Sequence, residues 1–340
     1  MPRWDDPPDR WRAEVAVATE LGFDFIGIGD SQSVALDSWM ILGEVARQTD
    51  QALLGPCVTN TITRHPAVTV GAASTLQRLS GGRATILLGR GASAADNLGR
   101  RSDPVRHSEE YVRTVRALLD GRPATWQGAA LYSGWASADI PLFLSAAGPR
   151  MLALAGETCD GIVFTGGVEP QRVRRALDEV AAAAVAAGRD PAGIQCWQLL
   201  RTSVRDDADH ALDDIKPLLS SAFHNLRGDD PTIPDRVRPA LSRMAERYDA
   251  RQHVKPGPNV NVDLMEDLGL TEYLASRFGV YGTPASVADQ LRSLAEAGVS
   301  RFIVPDVGAL DPMITIRRFG LEVMPLCRGP AGLDDCRGRR

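Results

Sequence analysis

The sequence predicts one α/β domain built as a barrel of alternating strands and helices, (β/α)8 in plan, with its reactive groups at the carboxyl ends of the strands. Three observations predict it: strand and helix patterns alternate along the chain, the strands are apolar throughout, and no GxGxxG turn of the dinucleotide-binding kind joins a strand to a helix. Strands that are apolar on both faces need cover on both, and parallel strands with crossover helices supply it. A closed barrel and a doubly wound open sheet both meet that need, and the missing glycine-rich turn favours the barrel.

The elements follow in order. Trp11, Val15, Ala18 and Leu21 recur at helical spacing over 9–21, with Gly22 placed to end the helix. FDFIGIGD (23–30) is a short apolar run ending in a carboxylate, a buried strand with a polar tip. Helix 38–48, strand 52–59, helix 66–79, strand 83–89 and helix 104–119 continue the alternation. Strands at 140–147, 161–167, 196–204 and 301–307 and helices at 149–157, 170–187 and 284–297 complete it.

A barrel should open with a strand before its first helix, and only about eight residues, rich in Pro and Asp, precede this one. The first strand is therefore expected to be absent, shifted, replaced by a staple at 1–7, or lost to a wrongly chosen start codon. Residues 121–139 read as a turn-rich insertion with a hairpin. Residues 205–275 are long and polar, and Pro217, Pro231, Pro234, Pro239, Pro256 and Pro258 are expected to break any long helix there. Both are read as specificity elements of one domain over 1–328, with 329–340 a polar tail. Ile314, Phe319, Leu321 and Val323 are expected to pack on the barrel wall.

Composition narrows the function. The chain of 340 residues is 44% hydrophobic and 24% charged, which is ordinary for a globular protein. A formal net charge of −5 argues against a sequence-independent grip on nucleic acid, so small molecules are the expected partners. No apolar run is long enough to span a bilayer and the N-terminus has no signal core, which predicts a cytoplasmic protein. Cys57, Cys159, Cys196, Cys327 and Cys336 are odd in number, scattered and never in a CxxC pair; reduced thiols are expected, and neither a disulfide framework nor a metal site.

Polar groups collect at the strand ends: Asp30 and Ser31, then Thr59, Asn60, Arg64 and His65, then Arg90, Ser93 and Asn97, then Ser145 and Thr165. In a barrel this is where catalytic residues stand. Each also has a plain structural reading, since Asp30 can cap a turn and His65 with Pro66 can start a helix.

The segment LLGPCVTNTITRHPAVTVGAASTLQRLSGGRATILLGRG (53–91) resembles the luciferase-like superfamily of barrel oxidoreductases, near its methylenetetrahydromethanopterin reductase branch. ELGFDFIGIGD (20–30) resembles that family's second strand, SAAGPRMLALAGETCDGIVFTGG (145–167) its cofactor phosphate region, and YGTPASVADQLRSLAEAGVSRFIV (281–304) its last helix and strand. The resemblance implies a non-proline cis peptide behind the flavin ring, and the matching bond joins Cys57 to Val58. It also implies a phosphate cradle at Ser145, Ala146, Ala147, Gly148 and Pro149, where a strand end meets a helix N-terminus, completed by Thr165, Gly166 and Gly167. Thr59, Arg90 and Asn97 would orient ring or substrate, and Asp30, Asn60 and His65 would be catalytic, with His65 or Asp30 moving a proton.

Two departures limit the match. Ser31 follows Asp30 where some deazaflavin enzymes place a histidine, and Ala94 stands where sugar-phosphate dehydrogenases of the family place an acid, so a glucose phosphate substrate is not expected. The resemblance implies hydride transfer between deazaflavin coenzyme F420 and an organic substrate. The alternative is an FMN-dependent monooxygenase fed by a partner flavin reductase and using oxygen; a catalytically silent flavin-binding barrel is a third reading. A homodimer is expected.

Overall fold

The computed structural model describes residues 7–32, 35–100, 104–136, 138–226, 228–305 and 311–327. The staple expected at 1–7 lies, apart from Pro7, outside the described residues, as does the tail at 329–340. The chain divides into two compact units, Met1–Val163 with Ala176–Cys196, and Phe164–Arg175 with Trp197–Arg340.

The first unit begins with helix α1 (Pro8–Glu20), which starts with proline in its first turn and ends where Gly22 takes φ 79°. Strand β1 (Phe25–Ile28), helix α2 (Ser38–Val45), strands β2 (Leu53–Pro56) and β3 (Thr59–Asn60), helix α3 (Pro66–Leu79) and strand β4 (Ile86–Gly89) follow. Then come α4 (Ala92–Asn97), α5 (Val105–Leu119), a hairpin of β5 (Ala124–Trp126) and β6 (Ala129–Leu131), β7 (Leu142–Ala146), α6 (Pro149–Thr158) and most of β8 (Gly161–Phe164) and α7 (Pro170–Ala186).

Within this unit β1 pairs in parallel with β2, and Leu54 of β2 bridges Ala84 just before β4. β3 pairs with β4, β4 with β7, and β8 follows β7. Neighbours in space are thus neighbours in the chain, with none of the order reversal that marks a doubly wound sheet. Leu42, Leu54, Ile86, Leu88, Leu118 and Ile140 are completely buried and make the core, each contributing roughly 1.5–3 kcal/mol of burial.

The second unit holds most of strand β9 (Gln195–Leu199), then β10 (Arg201–Val204), helices α8 (Ala208–Ser220), α9 (Arg238–Arg247), α10 (Val260–Asp267) and α11 (Thr271–Phe278), strand β11 (Gly279–Gly282), α12 (Pro284–Glu296), β12 (Arg301–Ile303), α13 (Pro312–Arg318) and α14 (Met324–Cys327), the last two joined by a π-turn. β12 runs parallel to β9, and β11 parallel to β10. Ile215, Leu219, Met244, Met265, Leu274 and Phe278 form the core under the helices.

Several expectations change. Residues 205–275 are mostly helical: Pro239 sits in the first turn of α9, where it starts a helix, and only Pro217 lies inside one. The expected strand at 196–204 is interrupted at Leu200, whose amide donates to Ile303 O, and β11 and α4 are elements the pattern did not suggest. Phe319 and Val323 are buried as expected, whereas Leu321 is 59% exposed because it turns to the outer side of the π-turn.

Candidate active site

Asp30 follows β1 at the strand's carboxyl end, and its side chain is almost fully enclosed. Its Oδ2 accepts from Thr59 Oγ1 at 2.6 Å and from Arg64 Nη1 at 2.5 Å, while Oδ1 accepts from Gln32 Nε2 at 3.0 Å. The second arm of Arg64 reaches Asp37 Oδ2 at 2.7 Å, and the other oxygen of Asp37 caps α2 by accepting from the amides of Trp39 and Met40. One guanidinium fork therefore ties the loop after β1, the start of α2 and the loop after β3 together.

Asn60 ends β3. Its Oδ1 accepts from the amides of Ile62 (3.0 Å) and Thr63 (2.9 Å), closing a tight turn, and its Nδ2 is buried without a partner among the described residues. Thr63 Oγ1 and Gln32 Oε1, in the same loops, are likewise buried without partners among the described residues. The glycines of the GRG turn have steric reasons. A Cβ on Gly91 (φ 80°) would stand 2.7 Å from Asn60 Cβ, and one on Gly89 would stand 2.8 Å from Val58 Cγ2. The Cys57–Val58 peptide between β2 and β3 is cis, as the resemblance implied. Asn97 Nδ2 donates to Ser31 Oγ at 3.0 Å, tying α4 to the loop after β1, and Arg90 is exposed.

His65 takes the structural role the sequence offered. It is the exposed N-cap of α3, its Nδ1 accepting from the Ala67 amide at 3.2 Å, with Pro66 at the first helical position. That bond assigns the proton of the neutral ring to Nε2. Beside it stands an aromatic group the sequence did not single out. Trp126, at the tip of β5, lies edge-on to His65 (6.3 Å), His107 (5.2 Å) and Tyr111 (5.5 Å). His107 Nε2 donates to Thr61 O at 2.9 Å. Tyr111 bonds Thr69 Oγ1 at 2.7 Å, and burial pushes its hydroxyl up to about 12 despite that bond. The only sequence signal for this group was one tryptophan in a turn-rich insertion.

At the end of β7, Ser145, Ala146 and Ala147 lead to Gly148, the N-cap of α6, which caps it with no side chain and is followed by Pro149. First-turn amides without a side-chain cap are suited to an anion. Thr165, Gly166 and Gly167 belong to the second unit. There Gly167 takes φ 134° and a Cβ on it would stand 2.9 Å from Arg277 O. Among the described residues no three His, Cys, Asp or Glu side chains gather as metal ligands, and no helix is long and apolar enough to cross a membrane.

Comparison with known proteins adds to this geometry. Residues 3–301 match the luciferase-like monooxygenase family. The chain is 27% identical over 317 residues to the 5,10-methylenetetrahydromethanopterin reductase of Methanolobus tindarius, covering 91% of this chain and 93% of the relative. It is 31% identical over 374 residues to the phthiodiolone/phenolphthiodiolone dimycocerosates ketoreductase of Mycobacterium tuberculosis (strain CDC 1551 / Oshkosh), covering 95% and 93%. The structure of the coenzyme F420 dependent tetrahydromethanopterin reductase from Methanopyrus kandleri superposes with a TM-score of 0.74 at 26% identity, covering 94% of this chain and 96% of that one. With a family match that spans most of its length and parallel strands wound in chain order, the chain belongs to the luciferase-like monooxygenase family and is an oxidoreductase with that family's (β/α)8 barrel fold.

Proposed function

We propose that the protein transfers a hydride between coenzyme F420 and an organic small molecule. The observation that carries this reading is the similarity to an F420-dependent reductase over 94% of this chain and 96% of that one. The two relatives named above differ in substrate, one a 5,10-methylenetetrahydromethanopterin reductase and the other a phthiodiolone/phenolphthiodiolone dimycocerosates ketoreductase, so the substrate does not carry over.

The residues present fit such a cofactor. Asn60 Nδ2 is a buried donor without a partner among the described residues, suited to a ring carbonyl, and Thr63 Oγ1 is a second such polar atom in the same loop. Cys57, Val58 and Thr59 would back the ring. Ser145, Ala146, Ala147, Gly148 and Pro149 would receive the phosphate on backbone amides, and the resemblance alone extends that role to Thr165, Gly166 and Gly167. The cofactor supplies the hydride chemistry, and the chain supplies orientation and a proton. His65 holds that proton on Nε2, the nitrogen not engaged with α3. Asp30, with both oxygens committed, acts by fixing Arg64 and Thr59. Arg90 and Asn97 would orient ring or substrate.

Anaerobic titration with F420 and with FMN, followed by tryptophan fluorescence, tests the reading together with F420 absorbance during a substrate screen. Expected are quenching by F420 at micromolar concentration, substrate-dependent change in F420 absorbance and no oxygen uptake. FMN binding with oxygen consumption would instead identify the monooxygenase that the family name suggests, and absence of F420 binding overturns the proposal. His65→Ala should lower kcat by roughly 100- to 10,000-fold with F420 affinity unchanged. The expected homodimer is part of the same reading, supported by the exposed Leu321 and Leu326, and sedimentation velocity checks it.

A further inference from the structure

Arg201 opens β10 inside the second unit, among the helices of 205–275. It makes one hydrogen bond, Nε to Leu218 O at 3.2 Å at the end of α8, and lies 4.9 Å over the ring of Phe278. No carboxylate pairs with it among the described residues, unlike Arg172, Arg205 and Arg277 of the same unit. With Nε committed, its two terminal nitrogens form the free edge of the fork.

Two imidazoles and a phenol lie among the same helices, and Arg201 is near enough to His253 for its charge to act on that ring. Ser221 Oγ donates to the same Leu218 O, and His224 Nδ1 donates to Ser221 O at 3.0 Å. The His224 ring is 5.0 Å from Tyr248 and 6.1 Å from His253. Tyr248 Oη bonds His253 Nδ1 at 2.8 Å, and His253 Nε2 has no protein partner among the described residues. Phe223 packs edge-on to Tyr248 at 5.1 Å and supplies an apolar wall. Arg201 and His253 both retain accessible surface, yet burial lowers Arg201 to about 10, and burial with the nearby His224 and Arg201 charges lowers His253 to about 4.

The segment carrying His253 is held in place. Asn259 Nδ2 donates to Gln252 O and Lys255 O, both at 2.9 Å, and Asn261 is bonded to both the amide and the carbonyl of Asp249. Val254, next to His253, sits at φ 45°, an unfavourable conformation for a β-branched residue that two buried asparagines help to impose.

We propose that Arg201, His253, Tyr248 and His224 form a binding site in the helical insertion for the carboxylate of an organic acid with an apolar body. The free edge of the guanidinium matches the two oxygens of a carboxylate, the imidazole Nε2 offers a further donor, and Phe223 with Phe278 receives the hydrocarbon. An anion placed there removes the uncompensated charge of Arg201 and raises the proton affinity of His253.

The site is tested on the full chain by NMR of the His253 ring during titration with hexanoate, with hexanol and inorganic phosphate as comparisons. No F420 is needed, so the outcome is independent of the proposed hydride transfer. Hexanoate should shift the resonance saturably and raise the His253 pKa above about 4. Arg201→Met should weaken binding about tenfold or more, and Arg201→Lys, which keeps the charge without the fork, should also weaken it. If Arg201→Met fails to fold, Arg201→Lys decides. An unmoved His253 signal, equal binding of hexanol or phosphate, or undiminished binding by Arg201→Lys overturns the proposal.

Discussion

At the scale of single residues, the site rests on Arg64, whose two arms reach Asp30 and Asp37. Removing a guanidinium from an almost enclosed carboxylate leaves a charge with too few partners. Arg64→Ala is expected to lower stability by about 3 kcal/mol in urea unfolding, softened by the Thr59 and Gln32 hydrogen bonds that remain. Arg64→Lys should recover only part, because one ammonium does not reproduce the fork. Gly91→Ala forces a Cβ against Asn60 and a left-handed conformation on alanine, so it should displace the Asn60 amide; the check is weakened F420 quenching with little change in His65 exchange. His65 at the head of α3 was legible because capping is a local matter of two or three residues. The role of Arg64 was not, because its carboxylates stand 34 and 27 residues away in the chain.

At the scale of elements, the insertion at 121–139 is fixed by its turn and by one side chain. Gln127 (φ 50°) and Gly128 (φ 83°) form the two-residue loop between Trp126 and Ala129, a turn with both central residues left-handed. Gln127→Asn should stabilise the hairpin by roughly 0.5 kcal/mol, since asparagine tolerates that conformation better. Trp126→Ala removes the ring against which His65, His107 and Tyr111 pack, at a cost of about 3–4 kcal/mol, and hydrogen exchange across β5 and β6 should accelerate. The hairpin was readable from its turn residues, and its docking was not. Helices 66–79, 149–158 and 170–186 were readable from proline starts and apolar spacing. β11 and α4 were missed because four to six residues hold too little periodicity. In 205–275 the prolines marked helix starts and joints as well as breaks.

At the scale of the whole molecule, stability should be bounded on both sides of neutrality. His253 is lowered to about 4 in the fold, so the unfolded chain binds the extra proton first; its contribution is complete above about 6.5 and is lost as pH falls toward 4. Asp230 is opposed by burial, but the Thr232 hydroxyl and amide and Arg277 lower it to about 2, which adds a loss below its ordinary value of 3.8. On the alkaline side burial raises Cys159 and Cys196 to about 12, so their contribution is lost as pH rises from 9.0 toward 12. Thermal unfolding from pH 4 to 11 should show a plateau between about 6.5 and 9, and His253→Asn should flatten the limb between 6.5 and 4. An acid limb unchanged in that variant would refute the assignment.

The sequence by itself determined the parallel α/β plan, most element positions, the strand-end residues and, through the 53–91 segment, the family. Those features are local in the chain: apolar runs, proline and glycine punctuation, and a motif read in one stretch. The tertiary structure decided what those residues do for one another. It gave Asp30 to Arg64 and Thr59, placed Trp126 against His65, turned Leu321 outward and, among the described residues, left Arg201 without a counter-charge. Each of these depends on which distant residues meet, and burial and pairing, set only by folding, fix the chemistry of a charged side chain.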